Sequence, residues 1–266
     1  MKLSVRPLSV ALLFSLALAV TSEAHHSWGR YHWARTTQSF TLKSGDNVTS
    51  AWDTYLNEAI ADWNFSNVLD LQKVTGATTG ATCQPTQGRI EVCNATYGTT
   101  GWLGLAQIWI TSRGHIAQGT AKMNDSYFNT ATYNTPAWHR LVMCQEVAHD
   151  FGLDHQDERF DNPNLGSCMD YTSDPDGPPS NEHPNAHDYE QLEKIYGHVD
   201  STTTVGSSLP GQTAAGDLNH PSAWGQLVRS NANGRVQVFQ RDLRRGERLI
   251  THVFWADPEG DARARQ

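Results

Sequence analysis

Two histidines and one glutamate near the middle of the chain have the types and spacing needed to hold a metal ion and move a proton. Glu146 precedes His149 by three positions, and His155 follows after a glycine, Gly152. Imidazole nitrogens bind zinc, and a carboxylate beside a metal-bound water can accept its proton. Gln145, four residues before His149, offers a weaker amide ligand. The stretch therefore predicts a metal site with a general base.

A helix must place these side chains on one face. The Thr-Pro pair at residues 135–136 is typical of a helix start, with a cap residue followed by proline. Residues four apart on a helix differ by about 40° and about 6 Å, so Gln145 and His149 can face one ion. Gly152 can end the helix in a left-handed conformation and turn the chain. His155 would then approach the same ion.

The remaining patterns predict an α+β fold around that helix. Apolar residues recur at helical spacing over residues 50–64 and 185–196, which predicts two more helices with one buried face. Strands are predicted at residues 40–42, 68–74, 89–93, 105–110 (with alternation over 107–111), 115–123, 225–229, 236–240 and 249–255. The strand ending at Ile110 has two interpretations: an exposed edge that pairs with an extended peptide, or an internal strand.

The central stretch carries most of the motif H-E-x-x-H-x-x-G-x-x-H. It matches at four positions, namely Glu146, His149, Gly152 and His155. Gln145 stands where the motif has its first histidine. Downstream, Met169 lies within Ser-Cys-Met-Asp-Tyr at residues 167–171. With these motifs, residues 40–196 resemble the metzincin zinc metallopeptidases.

The resemblance implies a fold, an activity and a set of roles. The fold would be a metzincin-like twisted mixed sheet with two long helices, a turn around Met169 beneath the metal, and a C-terminal helix. The activity would be that of a zinc endopeptidase acting on peptides or proteins, with Glu146 as general base. Tyr171, two residues after Met169, would bind zinc or stabilise the oxyanion. The expected metal ligands are His149, His155 and Tyr171, with Gln145 as a weak or water-mediated fourth group.

Several alternatives accompany this hypothesis. Because Gln145 replaces a zinc ligand, the same fold could instead be a catalytically impaired module that binds peptide or protein. His139 lies on another side of the helix and is a poor substitute ligand. An N-terminal His25 could bind copper after processing. Calcium is a second candidate cofactor, at the acidic residues Asp157, Glu158, Asp161, Asp174 and Asp176.

Four cysteines in a chain with an export signal favour disulfides over thiolate chemistry. By position they group as Cys83 with Cys93 and Cys144 with Cys168, and the first pair brackets an expected hairpin. Four cysteines permit three pairings, and the sequence does not choose among them. A bond from Cys144 to Cys168 would tie the central helix to the segment around Met169.

Composition sets the class of protein. Residues 1–24 have the basic start, short apolar run and small-residue end of a signal peptide, which predicts a secreted monomer. A formal net charge of -8 argues against nucleic-acid binding, and the mature chain predicts no membrane span. We expect a main domain over residues 25–199, a linker over 200–220 and a small β-rich appendage over 221–266.

Overall fold

The chain is α+β, with one large mixed sheet. The structure, a computed structural model, describes residues 26–208 and 216–257; the predicted signal peptide, residues 1–24, and His25 lie outside these ranges. Within them the strands are β1 (His32–Trp33), β2 (Phe40–Asn47), β3 (Leu69–Thr75), β4 (Ile90–Ala95), β5 (Trp102–Ile110), β6 (His115–Asn124), β7 (Gln226–Ser230), β8 (Val236–Asp242) and β9 (Arg248–Trp255). The helices are α1 (Asp53–Trp63), α2 (Asp125–Phe128), α3 (Pro136–His149) and α4 (Ala186–Ile195).

The sheet runs in the order β3-β2-β4-β6-β5-β9-β8-β7, with β1 added to the start of β6. Strands β1 to β4 and β6 are mutually parallel where they pair, whereas β5, β9, β8 and β7 are each antiparallel to their neighbours. The segment predicted as an appendage therefore continues the main sheet. It joins at β5, so the strand ending at Ile110 is internal and the open-edge interpretation is wrong.

Helix α3 begins and ends where its sequence indicates. The Thr135 hydroxyl accepts a hydrogen bond from the Trp138 backbone N–H, and Pro136 occupies the first turn. Gly152 follows the helix with a φ of +100°, where a side chain would meet the Tyr31 carbonyl oxygen at 2.5 Å. At 14 residues for α3 and 11 for α1, the helices are of ordinary length, so the expectation of two long helices is not confirmed.

Helix α1 packs its apolar face against α3. Leu56, Ala59, Ile60 and Trp63 are buried in the main core, as the helical spacing predicts. The Trp63 indole donates to the Cys144 carbonyl oxygen at 3.2 Å. The tryptophan thus packs in the core and also satisfies a polar group of α3.

Two disulfides join the segments that the cysteine positions suggest. Cys83 pairs with Cys93, and Cys144 pairs with Cys168. Cys83 lies in the loop before β4, so the predicted hairpin between the first two cysteines is wrong. The second bond fastens α3 to the chain just before Met169. In the described part of the chain, every helix is too short or too polar to cross a bilayer.

Candidate metal centre and catalytic site

His149, at the end of α3, has one ring nitrogen fixed and one free. Its Nδ1 lies 2.8 Å from the Leu153 carbonyl oxygen, an acceptor, so the proton belongs on Nδ1. The turn at Gly152 brings that carbonyl back beneath the helix. Nε2 is buried and has no hydrogen-bond partner among the described residues. A fixed tautomer with an unused lone pair is the state in which histidine binds a metal.

His155 is oriented by carboxylates in the same way. Its Nδ1 lies 3.4 Å from oxygens of both Asp154 and Glu158, and its Nε2 is buried without a partner among the described residues. Arg229 of β7 makes two hydrogen bonds of 2.5 Å to Asp154 and lies 3.0 Å from Glu158. The rings of His149 and His155 stand edge to face, 4.6 Å between centroids. The two predicted histidines are therefore together.

A third imidazole joins them from a part of the chain that sequence reasoning left out. His252, on β9, stacks on His149 with ring centroids 3.9 Å apart and planes 6° apart. Both of its ring nitrogens are buried and lack a partner among the described residues. One nitrogen from each of His149, His155 and His252 lies within 4.8 Å of the others. The only local signal was a histidine inside an apolar strand pattern.

Burial favours the neutral form of two of these imidazoles, His149 and His252. Desolvation lowers the pKa of His149 well below its ordinary value, and the neighbouring His155 lowers it further. Desolvation and the neighbouring His149 lower the pKa of His252 well below its ordinary value as well. Neutral imidazoles have a lone pair to offer, and buried polar atoms without partners are costly unless a ligand satisfies them. These donors fit a zinc ion, which prefers nitrogen ligands of this kind.

Glu146 lies on the same helix, three residues before His149. Its side chain is buried, and Oε2 has no partner among the described residues. Burial raises the pKa of Glu146 well above its ordinary value, with a partial offset from the Ala106 backbone N–H of β5. A Cβ at Gly104 would overlap the Glu146 carboxylate, so this glycine makes room for it. The carboxylate is held in place, and its Oε2 remains available to accept a proton.

Gln145 and Tyr171 occupy different surroundings from each other. The Gln145 amide Nε2 donates to the Cys168 carbonyl oxygen at 3.0 Å, while its Oε1 is buried without a partner among the described residues. The Tyr171 ring lies 4.4 Å from that of His155. Burial, together with Glu146, raises the pKa of Tyr171 well above its ordinary value, so the phenol keeps its proton. Tyr171 therefore packs against His155 as a protonated phenol, and Gln145 holds the chain before Met169.

Met169 is fully buried in the main core. Its backbone N–H donates to the Ser167 hydroxyl at 2.9 Å, and its carbonyl oxygen accepts from the Gln156 backbone N–H at 2.6 Å. These bonds connect the chain around Met169 to the chain after His155. The two segments that carry predicted site residues are thus joined directly.

The other candidate residues lie elsewhere. His139 packs its ring against Trp52, Tyr55 and Phe128 and bonds through Nδ1 to the Thr135 carbonyl oxygen, which makes it a core residue. Within the described residues, no three of the acidic side chains proposed for calcium come within 4.8 Å of one another: Asp157, Glu158, Asp161, Asp174 and Asp176.

The site is closed by the C-terminal strands and the first described residues. His252 pairs with Ala106, so β9 runs along the side of β5 where an extended peptide would add. Trp28 packs its ring on His252, and its backbone N–H donates to the Gly152 carbonyl oxygen at 3.1 Å. Glu146 and His149 are each 1% exposed. A molecule from solvent can reach them only after Trp28 or β9 moves.

No protein-family model matches the sequence, and no curated protein matches it significantly.

Proposed function

We propose that this protein is a secreted zinc-dependent peptidase of the metzincin type in which His149, His155 and His252 hold the metal. One observation carries the proposal: three buried imidazoles converge with unpartnered nitrogens, and a buried carboxylate with a free oxygen lies three residues before one of them on the same helix. Catalytic zinc sites have three protein ligands and an open position. The two disulfides support export, because such bonds persist in oxidising compartments.

His252 takes the role that the sequence motif gives to the residue at 145. The Gln145 amide is bonded to Cys168, and an imidazole is the better zinc donor. His252 joins His149 and His155 from β9, which lies next to β5 in the sheet. The loss of one motif histidine is therefore compensated from another strand.

The chain's own groups would carry out the proton transfers. Zinc, when bound, would polarise the peptide carbonyl and acidify water. Glu146 would accept a proton from that water at Oε2 and pass it to the leaving amine. The positive charge of the ion would favour the carboxylate form that this role needs. The Tyr171 phenol, which keeps its proton, would donate to the oxygen that becomes negative.

The position of β9 restricts the substrates. Strand β9 supplies His252 and also occupies the edge of β5. An extended peptide therefore cannot pair with β5 while the metal site is complete. Access requires movement of Trp28 or of the contacts between Arg229 and Asp154. We expect short flexible peptides to be hydrolysed faster than folded or long substrates such as casein.

A non-catalytic binding module is the second candidate, favoured by the closure of the site. The two functions differ in a direct test. Purified mature protein loaded with zinc would be incubated with a fluorogenic peptide library and with casein, beside Glu146→Gln. The proposal predicts cleavage by the wild type alone. Absence of cleavage by wild type that contains a full equivalent of zinc at this site would leave only the binding function.

A further inference from the structure

A second group of metal-binding side chains lies at the other end of the sheet, where β1 meets the start of β6. His32 is on β1, His115 is the first residue of β6, and His198 and Asp200 follow α4. The Nε2 atoms of His32 and His198 are 3.2 Å apart. The Asp200 carboxylate lies 3.4 Å from His32, 3.8 Å from His198 and 3.9 Å from His115.

The separations of 3.2 and 3.4 Å are those of neighbouring ligands around one ion, and those of 3.8 and 3.9 Å are about half an ångström longer. With zinc–nitrogen and zinc–oxygen bonds of about 2.0–2.1 Å, two ligand atoms of a tetrahedral site are about 3.3 Å apart. Hydrogen bonding alone satisfies the group poorly. One N–H can bridge His32 and His198, but His115 is too far from Asp200 for a hydrogen bond, and its Nδ1 is buried without a partner among the described residues.

Outer contacts prepare two of the ligands. His32 Nδ1 lies 2.7 Å from the Arg30 carbonyl oxygen, which places the proton on Nδ1 and the lone pair on Nε2. The second oxygen of Asp200 accepts from the Arg35 backbone N–H at 3.1 Å. Fixed tautomers and hydrogen-bonded carboxylates are features of built metal sites.

An ion can reach the group from solvent. A surface cleft of about 630 Å³ is lined by His32 and His198, and a second of about 460 Å³ by His115. The His198 side chain is 56% exposed, whereas that of Asp200 is 11% exposed. The ligands are thus mostly enclosed, with one accessible side.

We propose that His32, His115, His198 and Asp200 form a second, structural zinc site. His32, His115 and Asp200 each offer a ligand atom within 4.8 Å of the others, and His198, beside His32 and Asp200, would complete a four-ligand shell that leaves no position for a substrate. The site would fasten β1, which has only two residues, to β6 and to the chain after α4. The chain before β1 includes Trp28, which covers the other histidine group.

The test is a calorimetric zinc titration of the metal-free full-length mature protein. Wild type is expected to bind two zinc ions. His198→Gln changes a half-exposed side chain. It is expected to lower the affinity for one of the two zinc ions by at least about tenfold, which is the lower end of the losses seen even for outer-shell changes. Asp200→Asn should do the same. His183→Gln removes a histidine that pairs with a single carboxylate, that of Asp62, and should leave both ions.

His252→Asn tells the two zinc sites apart, because it changes a ligand of the proposed catalytic site only. In this variant one zinc ion should no longer bind, and the ion that His198→Gln affects should bind as in wild type. Far-ultraviolet circular dichroism would confirm that each variant is folded. Two zinc ions bound with unchanged affinity in both His198→Gln and Asp200→Asn would overturn the proposal. A wild type that binds a single ion, lost in His252→Asn, would overturn it as well.

Discussion

The two histidine groups of this protein use the same side chain in different settings. His149, His155 and His252 are three buried imidazoles, and Glu146, with a free carboxylate oxygen, lies three residues before His149 on α3. The second group also has three imidazoles, but its carboxylate, Asp200, lies among them and is close enough to be a ligand. A carboxylate beside the ligands can act as a base, whereas one among them closes the shell.

The groups also differ in what covers them. The catalytic candidate lies beneath β9 and Trp28, and its histidines are almost fully buried. The second group borders two surface clefts. A reactive site needs protection from solvent and a controlled opening. A structural site needs only to be filled once, so exposure of one ligand does no harm.

The largest difference between the groups should appear on removal of the base. Glu146→Gln keeps the shape of the side chain but cannot accept a proton, so peptide hydrolysis should fall by about 100- to 10,000-fold. Zinc content, measured by mass spectrometry of the metal, should stay at the wild-type value. Glu190→Gln, an exposed carboxylate on α4, is the control. Equal hydrolysis by Glu146→Gln and wild type would contradict its role.

Exchange of the candidate third ligands tests which residue replaces the missing motif histidine. His252→Asn should weaken zinc at the catalytic group by more than about 100-fold, because a ligand is lost rather than its support. Gln145→Ala should keep that ion, since the amide is bonded to Cys168. Zinc titration reports both. The reverse pattern would show that Gln145 is the ligand.

Tyr171 should matter for rate and not for metal. Tyr171→Phe removes one donor to the developing negative charge, and such losses lower kcat by about 100-fold or more. Zinc affinity should be unchanged if the phenol is not a ligand. Tyr189→Phe, which removes a phenol that donates to the Asp62 carbonyl oxygen, is the matched control. Loss of zinc in Tyr171→Phe would make the tyrosine a ligand instead.

A smaller effect is expected from the contacts behind His155. Arg229 holds Asp154 and Glu158, which in turn orient the His155 ring. Arg229→Gln should weaken the catalytic zinc by about 10- to 100-fold, the usual cost of an outer-shell change. Arg159→Gln alters an exposed arginine in the loop that carries Glu158 and should leave the zinc affinity unchanged. Zinc affinities equal in the two variants would show that the orientation of His155 does not depend on Arg229.

The smallest effect is expected for the pair of His183 and Asp62, a histidine and a carboxylate that belong to neither histidine group. The hydrogen bond to Asp62 raises the pKa of His183. Stability from this pair is therefore present below the unfolded pKa of about 6.5 and is lost as pH rises through the raised value. The difference in Tm between wild type and His183→Gln should be larger at pH 5.5 than at pH 8.5. An equal difference at both pH values would contradict the assignment.

Much of the fold could be predicted because its signals are local. Thr135, Pro136 and Gly152 mark both ends of α3, and alternation places strands close to β3, β4 and β5. The pairing of β9 with β5 could not be predicted, since it joins residues about 150 positions apart. His252 was missed for that reason. The second histidine group was missed because it depends on the two-residue strand β1 and on chain beyond α4.

Gln145 illustrates a different limit. Helical spacing predicts that Gln145 faces the same side as His149, but direction does not decide which partner a side chain binds. Its amide hydrogen finds the Cys168 carbonyl oxygen, which the Cys144–Cys168 disulfide brings close. Three other motif residues, Glu146, His149 and His155, keep surroundings that suit their predicted chemistry.

Diffraction at the zinc absorption edge, from crystals of the zinc-loaded wild type, tests the central claim most directly. The anomalous difference map should contain a peak bounded by nitrogens of His149, His155 and His252, with Glu146 near but not bound. A map with zinc bound by the Gln145 amide oxygen and with His252 out of reach would contradict the account. So would a map with no peak among the three histidines.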